Sequence, residues 1–292
     1  MRKVKLGVVQ MSCSKIVGKN IEKAEAMARM AAEQGANIIL LPELFERQYF
    51  CQERRYDYYR FAAPVTESIA VRHFMKVAKE LEAVIPVSFY EKDKNSLYNS
   101  VAVIDADGSL LGVYRKVHIP DDHFYQEKFY FTPGNLGFPV FNTRYGRVGV
   151  GICWDQWFPE TTRSLALGGA EIIVYPTAIG SEPVLKCDSM PHWRRCIQGQ
   201  SAANLVLTAV ANRVGLETVE PSEENANQQS SLMFYGASFI ANEKGELAAE
   251  AIGDEEEVLT AGFDLDEVAE NRLSWGVFRD RRPECYSLIS GK

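Results

Sequence analysis

The chain begins with an apolar segment, an amphipathic segment and a second apolar segment in close succession. Residues 5–10 are mostly apolar, residues 20–34 place small apolar side chains on one helical face, and residues 37–41 are apolar up to Pro42. This succession predicts a strand, a helix that stops at Gly35 and a second, buried strand. A β-α-β unit of this kind joins two parallel strands by a right-handed crossover.

A second stretch repeats this pattern in the same order. Residues 147–152 predict a strand, residues 159–167 a helix, and residues 171–175 a strand that is again followed by a proline. The two copies align as Gly35-Ala-Asn-Ile-Ile-Leu-Leu-Pro42 and Gly169-Ala-Glu-Ile-Ile-Val-Tyr-Pro176. We interpret them as one internal duplication, although any two β-α-β units share part of this pattern.

The remaining apolar segments are short and predict hairpins around the two units. These segments are 84–90, 97–104, 110–115, 206–211, 237–241 and 247–251, with a helix predicted over 193–203. Residues 1–292 are therefore predicted to form a single α/β domain, in which two mixed sheets pack face to face with helices outside. The acidic stretch 217–231 is predicted to be a surface loop or lid.

Composition excludes several classes of protein. The chain is 46% hydrophobic and 24% charged, as is usual for a globular enzyme. Its net charge of −7 disfavours nonspecific binding to nucleic acid or to an anionic membrane. No apolar run reaches the roughly 18 residues that a membrane span needs, and the first residues lack the features of a signal peptide. We therefore expect a cytoplasmic protein with no nucleic-acid or membrane partner.

The cysteines and histidines show no metal-binding pattern. Six scattered cysteines include no Cys-x-x-Cys pair, and the four histidines lack a His-Glu-x-x-His spacing. We expect no metal, no other cofactor and no disulfide framework.

One thiol is well placed for a nucleophile. Cys153 ends the apolar run 147–152 and is followed by Trp154 and Asp155. A thiol at the end of a buried strand is held rigidly and can still face a cleft. A cysteine in an apolar context is also often an inert packed side chain, because reactivity requires charged neighbours.

Three charged residues are candidates for those neighbours. Glu43 follows a buried strand, where partial desolvation favours a base, or it caps a helix. Lys116 ends an apolar run, where it would stabilise an oxyanion near Cys153 or remain a solvated charge. Glu127 lies in an aromatic-rich loop, and its alternative role is a surface salt bridge.

In combination these segments resemble the carbon–nitrogen hydrolase (nitrilase) superfamily. The resemblance covers almost the whole chain, and its motifs are Leu40-Leu-Pro-Glu-Leu44, Tyr114-Arg-Lys-Val-His118, Gly151-Ile-Cys-Trp-Asp155 and Tyr175-Pro-Thr-Ala178. It implies a four-layer α-β-β-α sandwich of two β-α-β halves related by an internal pseudo-twofold. The family's catalytic glutamate, lysine and cysteine fall on Glu43, Lys116 and Cys153. A second family glutamate falls on Glu127, next to the lysine.

The resemblance also implies a role for each of these residues. Glu43 takes the thiol proton, and Cys153 attacks an amide, nitrile or carbamoyl carbon. Lys116 and the backbone N–H of Trp154 stabilise the developing oxyanion. Glu43 then protonates the departing amine or ammonia and activates water against the thioester-like intermediate. Glu127 holds Lys116, so these charges are expected to titrate as a coupled set.

Residues 153–160 and 175–183 resemble the branch of the superfamily that hydrolyses N-carbamoylputrescine. A carbamoylated diamine carries an ammonium at its far end. Acidic residues at the distal end of a pocket would bind that ammonium and repel a carboxylate.

We expect four residues to bind this substrate. Asp122 and Glu182 would face the ammonium, and Tyr49 and Trp154 would form apolar walls for the methylene chain. The competing candidates to enter the pocket are Arg194 and Arg195.

The predicted function is a thiol amidohydrolase that converts N-carbamoylputrescine to putrescine, carbon dioxide and ammonia in polyamine biosynthesis. The alternatives within the superfamily are a β-ureidopropionase or an aliphatic or ω-amidase. Two alternatives lie outside the hydrolases: a catalytically silent binding or assembly protein, and a redox-sensing thiol protein. The resemblance also implies a homo-oligomer, and we expect residues 275–292 to lie at its interface, with the copy number open.

Overall fold

The computed structural model describes residues 1–181 and 188–290. Its strands are β1 (Lys3–Gln10), β2 (Ile38–Leu40), β3 (Ile85–Asp93), β4 (Ser96–Ile104), β5 (Leu110–Arg115), β6 (Val140–Thr143), β7 (Gly146–Val150), β8 (Ile172–Pro176), β9 (Leu207–Ala211), β10 (Val214–Val219), β11 (Ser230–Tyr235), β12 (Phe239–Ala241), β13 (Leu247–Glu250) and β14 (Glu257–Asp264). Its α-helices are α1 (Val17–Glu33), α2 (Ile69–Leu81), α3 (Pro159–Leu167), α4 (Met190–Asn204), α5 (Leu265–Trp275) and α6 (Ser287–Ser290).

The first β-α-β unit lies at the centre of one sheet. β1 pairs in parallel with β2, as predicted, and β14 pairs antiparallel with the other edge of β1. A parallel bridge between Ile38 and Val84 continues the sheet into the antiparallel strands β3, β4 and β5. The strand order across this layer is therefore β14-β1-β2-β3-β4-β5.

The second unit lies at the corresponding place in the other sheet. Its order is β13-β12-β9-β8-β7-β6, with β7, β8 and β9 parallel and the outer strands antiparallel. Reversed, this order matches the first sheet strand for strand, since each has three parallel strands, one antiparallel neighbour on one side and two on the other. The predicted duplication and mixed sheets are thus present in the topology.

Three apolar layers hold the four structural layers together. Between the sheets, alternate strand residues such as Val8, Leu40, Val150 and Val174 are fully buried in one core cluster. Outside the first sheet, α1 and α2 cover a second cluster, and outside the second sheet α3 and α4 cover a third. Because the central strands β2, β8 and β9 bury both faces, their sequences are mostly apolar. The architecture is the predicted α-β-β-α sandwich.

Several elements differ from the sequence prediction. The pattern did not predict α2, β6, β14 or α5, which lie at the edges or outer faces of the sandwich. The stretch 217–231, predicted as a loop, begins within β10 and ends within β11, which pair as a hairpin. Cross-strand pairing therefore orders both ends of this polar segment, and only residues 220–229 connect the two strands.

Candidate active site

Glu43 follows β2, and Thr177 follows β8 in the other sheet. The backbone N–H of Glu43 donates to Thr177 O over 3.4 Å, which ties the two sheets together at this edge. The carboxylate is fully buried, and Oε1 accepts from Asn99 Nδ2 at 2.6 Å and from Lys116 Nζ at 2.8 Å. Within residues 1–181 and 188–290, Oε2 has no hydrogen-bond partner. That oxygen can accept a proton without first breaking a hydrogen bond.

Lys116 follows β5 and is fully buried. Its backbone N–H donates to Asn99 O, and its ammonium donates to Glu43 Oε1 at 2.8 Å and to Glu127 Oε2 at 2.7 Å. Burial alone would lower the pKa of this ammonium. The carboxylates of Glu127 and Glu43 outweigh it and raise the pKa well above its usual value. Lys116 is therefore a fixed positive charge.

Glu127 begins a 3₁₀ turn, Glu127–Phe129, and is fully buried. Its Oε1 accepts from the Tyr49 hydroxyl at 2.7 Å, and its Oε2 accepts from Lys116 Nζ. Burial raises its pKa, the Lys116 ammonium lowers it, and the Glu43 carboxylate raises it again, for a value of about 7. A carboxyl group with this pKa changes charge near neutral pH.

Cys153 opens a 3₁₀ turn, Cys153–Trp157, and two residues separate it from the end of β7. Its φ of 43° is in the left-handed region, which costs a non-glycine residue free energy and persists only where neighbours enforce it. Buried Asp155 enforces it, because its Oδ2 accepts from Ile152 N at 2.9 Å and from the Tyr114 hydroxyl at 2.7 Å. Its Oδ1 accepts from His118 N at 3.0 Å and lies 2.8 Å from His118 Nδ1.

The thiol of Cys153 is only 7% exposed, and its Sγ lies 3.8 Å from Ala178 O. Burial raises its pKa well above the usual value; Glu43 and Glu127 raise it further, and Lys116 opposes them. The resting group is thus a neutral thiol at neutral pH. Attack by this sulfur requires a base that takes the proton.

A cavity of about 370 Å³ opens onto the thiol. Among the described residues it is lined by Pro120, Asp121, Asp122, Tyr125, Glu127, Cys153, Trp154, Trp157, Ala178, Ile179, Ser189 and His192. Within that lining there are two exposed aspartates and neither lysine nor arginine. The walls near the thiol are mostly aromatic or aliphatic, and the charged groups that face solvent are negative.

The structure brings Glu43, Lys116, Glu127 and Cys153 together, as the sequence predicts. Asp122 and Trp154 line the cavity, and Trp154 is 39% exposed there.

Tyr49 requires a correction, because its ring is fully buried and absent from the described lining, and its hydroxyl holds Glu127. Glu182 lies outside the described residues. Neither competing arginine enters the cavity, since Arg194 pairs with Glu250 at 2.6 Å and Arg195 is exposed on α4.

Sequence reasoning missed four residues that organise the site: Asn99, Asp155, Arg213 and Glu217. Asp155 lies two residues after Cys153 in the same motif. Its place there is a sequence signal that could have identified it as a buried hydrogen-bond acceptor. Asn99 lies inside β4, where a fully buried amide must find a partner. For Arg213 and Glu217 the sequence offers only their spacing of four residues, which usually indicates a solvated pair.

Among the described residues, no group of three or more histidine, cysteine, aspartate or glutamate side chains could hold a metal ion. Within the same residues, no helix has both the length and the apolar character needed to cross a bilayer.

Comparison with known proteins gives consistent matches over nearly the whole chain. A family model described as carbon-nitrogen hydrolase matches residues 5–273. The chain is 52% identical to an N-carbamoylputrescine amidase of Oryza sativa subsp. japonica, over 98% of this chain and 94% of the relative. It is 47% identical to a citrullinase of Francisella tularensis subsp. tularensis, over 100% of both chains. The crystal structure of a carbon-nitrogen hydrolase from Helicobacter pylori G27 superposes with a TM-score of 0.89 at 36% identity, covering 98% of each chain.

Proposed function

This chain belongs to the carbon–nitrogen hydrolase family, and on that basis we propose that it hydrolyses N-carbamoylputrescine to putrescine, carbon dioxide and ammonia. It is a hydrolase of amide carbon–nitrogen bonds. The observation that carries the substrate proposal is the 52% identity to an N-carbamoylputrescine amidase over 98% of the chain. The charge of the cavity supports it independently.

The substrate has a neutral carbamoyl group at one end and an ammonium at the other. The carbamoyl carbon is attacked by Cys153, and the tail extends past Trp154 toward Asp121 and Asp122. Carboxylates favour an ammonium and repel a carboxylate, and the faces of aromatic side chains also attract a cation. In our proposal Asp122 binds the tail and Trp154 packs against the methylenes, while Glu182 keeps its predicted role as a second acidic contact.

The first half of the reaction forms a carbamoyl thioester. Glu43 Oε2 takes the proton from Cys153 Sγ as the sulfur bonds to the carbamoyl carbon. Negative charge that develops on the carbamoyl oxygen is stabilised by Lys116 and the backbone N–H of Trp154. Within the described residues two of the three ammonium N–H groups of Lys116 are used, which leaves one for the oxyanion. When the carbon–nitrogen bond breaks, Glu43 returns its proton to the departing amine.

The second half releases the enzyme. Glu43 takes a proton from a water molecule, whose oxygen attacks the thioester carbon, and the carbon–sulfur bond breaks as the proton returns to Cys153 Sγ. The resulting carbamate decomposes to carbon dioxide and ammonia. Glu127 keeps Lys116 in place through both halves, so the ammonium stabilises each oxyanion from a fixed position.

A second candidate is hydrolysis of the ureido group of citrulline, because a citrullinase is 47% identical over the full length. Citrulline carries a carboxylate as well as an ammonium at its far end. That carboxylate would require a cationic partner, and the described cavity lining contains no lysine or arginine. The charge of the lining therefore favours the diamine.

The substrate proposal is tested by ammonia release from N-carbamoylputrescine, citrulline, N-carbamoyl-β-alanine, a simple amide and a nitrile. We expect the highest kcat/KM for N-carbamoylputrescine and no turnover by Cys153→Ser. A clear preference for citrulline or N-carbamoyl-β-alanine would refute the substrate. Full activity of a folded Cys153→Ser variant would refute the mechanism.

The recognition of the tail is tested by Asp122→Asn. We expect KM for the diamine substrate to rise by up to about fivefold with little change in kcat, because an exposed ion pair contributes about 0.2–1 kcal/mol. Asp107→Asn, an exposed aspartate on the β4–β5 turn, is the matched control. An unchanged KM in Asp122→Asn would remove this residue from the substrate-binding site.

We also propose that the protein is a homo-oligomer in the cytoplasm. This proposal is supported by large apolar side chains that are exposed in the C-terminal part of the chain, including Trp275 at 74%, Leu288 at 98% and Ile289 at 69% exposure. Five cysteines in the described residues are free thiols, which suits a reducing compartment.

A further inference from the structure

Three of the four residues of the proposed catalytic set, Glu43, Lys116 and Glu127, are part of a closed ring of buried hydrogen bonds. Starting at Glu43, the ring runs through Lys116, Glu127 and Tyr49 and returns by way of Glu217 and Arg213. Each of these side chains is at most 3% exposed. Two members of this ring, Arg213 and Glu217, have no part in the proposed chemical steps.

Arg213 lies just after β9 and uses every N–H of its guanidinium. Nε and Nη2 donate to Glu43 O at 3.1 and 3.0 Å, and Nη2 also donates to Leu44 O at 2.5 Å. Nη1 donates to Arg47 O at 2.8 Å and to Glu217 Oε1 at 2.9 Å. One rigid, planar group thus binds three carbonyls of the segment that carries Glu43.

That segment needs an external support. Leu44 has a φ of 48°, in the left-handed region that a leucine adopts only at a cost. The guanidinium bonds to the carbonyls on both sides of the Leu44 nitrogen, and the Ser88 hydroxyl accepts from that nitrogen at 2.9 Å. These bonds set the direction in which the Glu43 side chain leaves the backbone.

Glu217 extends the same support to the other carboxylate. Its Oε1 accepts from Arg213 and its Oε2 accepts from the backbone N–H of Tyr49 at 2.6 Å. The hydroxyl of Tyr49 donates in turn to Glu127 Oε1. Arg213 and Glu217 therefore act through one ion pair on both carboxylates. Arg213 holds the backbone of the segment that carries Glu43, and Glu217 holds the backbone of Tyr49, whose hydroxyl donates to Glu127.

We propose that Arg213 and Glu217 are a positioning pair that aims Glu43 at Cys153, an inference that rests on the proposed function of Glu43 as the base. Neither residue lines the described cavity, so neither contacts the substrate. Their effect is on the rate of proton transfer from the thiol and not on substrate affinity.

The test uses Arg213→Lys, which keeps the buried positive charge but replaces the planar guanidinium and its five N–H donors by a compact ammonium group. Arg272→Lys is the matched control, because Arg272 also donates to backbone carbonyls, those of Leu205 and Ala170, away from the site. Glu217→Gln is a second variant of the pair, in case Arg213→Lys does not fold. Circular dichroism and thermal unfolding verify the fold of each.

The first measurement is steady-state hydrolysis of N-carbamoylputrescine. We expect Arg213→Lys to lower kcat by about 10²-fold with KM within about twofold, the typical loss when a reacting group is displaced by about 1 Å. Arg272→Lys should keep both constants within about twofold. Equal losses in the two variants would overturn the proposal, since they would indicate general destabilisation.

The second measurement is alkylation of Cys153 by iodoacetamide, followed by peptide mass spectrometry with half-buried Cys196, outside residues 275–292, as the internal reference. The sulfur–carbon bond forms, iodide leaves, and the thiol proton passes to Glu43. At pH 7 we expect at least about tenfold slower alkylation in Arg213→Lys. Because burial raises the pKa of the Cys153 thiol well above its usual value, direct ionisation does not bypass the base at this pH.

Alkylation separates this proposal from the proposed function. If wild-type protein releases no ammonia from N-carbamoylputrescine but Arg213→Lys still slows alkylation at pH 7, the substrate is wrong and the positioning role is supported. Alkylation of Cys153 at the wild-type rate in folded Arg213→Lys would overturn the positioning role.

Discussion

The Cys153 thiol is buried beside two carboxylates, and both features oppose a resting thiolate. This separates the site from those in which a neighbouring cation keeps the sulfur ionised. The nucleophile is instead formed at the moment of attack, when Glu43 takes the proton. This mode of activation requires a base with a free oxygen and a fixed cation. Glu43 Oε2, which has no hydrogen-bond partner in the part of the chain that the structure describes, and the charged Lys116 meet these two requirements.

Glu127 gives the protein a pH-dependent stability. Its pKa of about 7 in the folded state lies above the usual 4.5, because burial and Glu43 favour the neutral form. The stabilisation this provides is complete below pH 4.5 and is lost as the pH rises through 7. Between pH 5 and pH 8, we expect the free energy of unfolding to fall by about 2–3 kcal/mol less in Glu127→Gln than in the wild type.

Urea unfolding of wild type and Glu127→Gln at the two pH values measures this difference. Glu22→Gln, an exposed glutamate on α1, is the control and should behave as wild type. Parallel pH dependence in wild type and Glu127→Gln would show that Glu127 is already ionised in the folded protein at pH 5.

The turn Cys153–Trp157 shows how secondary structure and site are coupled. Its first residue is strained, and Asp155 balances that strain by accepting from Ile152, Tyr114 and His118. The ring of His118 also stacks on Phe158, the residue after the turn, with centroids 3.7 Å apart. The motif containing Lys116 and the motif containing Cys153 are thus joined by one carboxylate.

We expect Asp155→Asn to lower the free energy of unfolding by about 3 kcal/mol. The asparagine amide would present an N–H₂ group to two of the groups that now donate to the carboxylate, so these buried donors would lose their acceptor. Tyr114→Phe removes one of these bonds and should cost about 1 kcal/mol. Urea denaturation of both variants measures the two values, and equal losses would contradict the central role assigned to Asp155.

The C-terminal part of the chain carries several large apolar side chains that are exposed, among them Leu273, Trp275, Leu288 and Ile289. Trp275 and Leu288 are 74% and 98% exposed in the single chain, and a contiguous patch of such side chains usually marks an interface. If residues 275–292 take part in a homo-oligomer, as the sequence predicts, these side chains become buried against a second copy.

We expect the double variant Trp275→Glu with Leu288→Glu to shift the protein from an oligomer toward the 32.8 kDa single chain. Introduced carboxylates would be buried without partners at the interface, which disfavours association. Light scattering after size exclusion measures the mass. Ile252→Glu, which changes a residue 86% exposed outside this region, should leave the mass unchanged. The same mass for wild type and the double variant would contradict the interface.

Much of the architecture could be predicted because its signals are local. Helix and strand periods, glycine and proline at segment ends, and the repeated Gly-Ala-x-Ile-Ile segment indicate two β-α-β units without reference to any distant residue. The helix over residues 159–167 is α3, and the strand over 206–211 is β9 to within one residue. By contrast α2, β6, β14 and α5 were missed, since their place depends on what they pack against.

The chain's local pattern also determined which residues stand at strand ends, and with the family motifs this identified Glu43, Lys116 and Cys153 as one set. Only the folded structure decided how that set is held. Arg213 and Glu43 are 170 positions apart, and Tyr49 and Glu217 are 168 apart. No periodicity spans such distances, so the buried ring that joins them, and the role of Tyr49 behind Glu127, exist only once the two sheets have packed together.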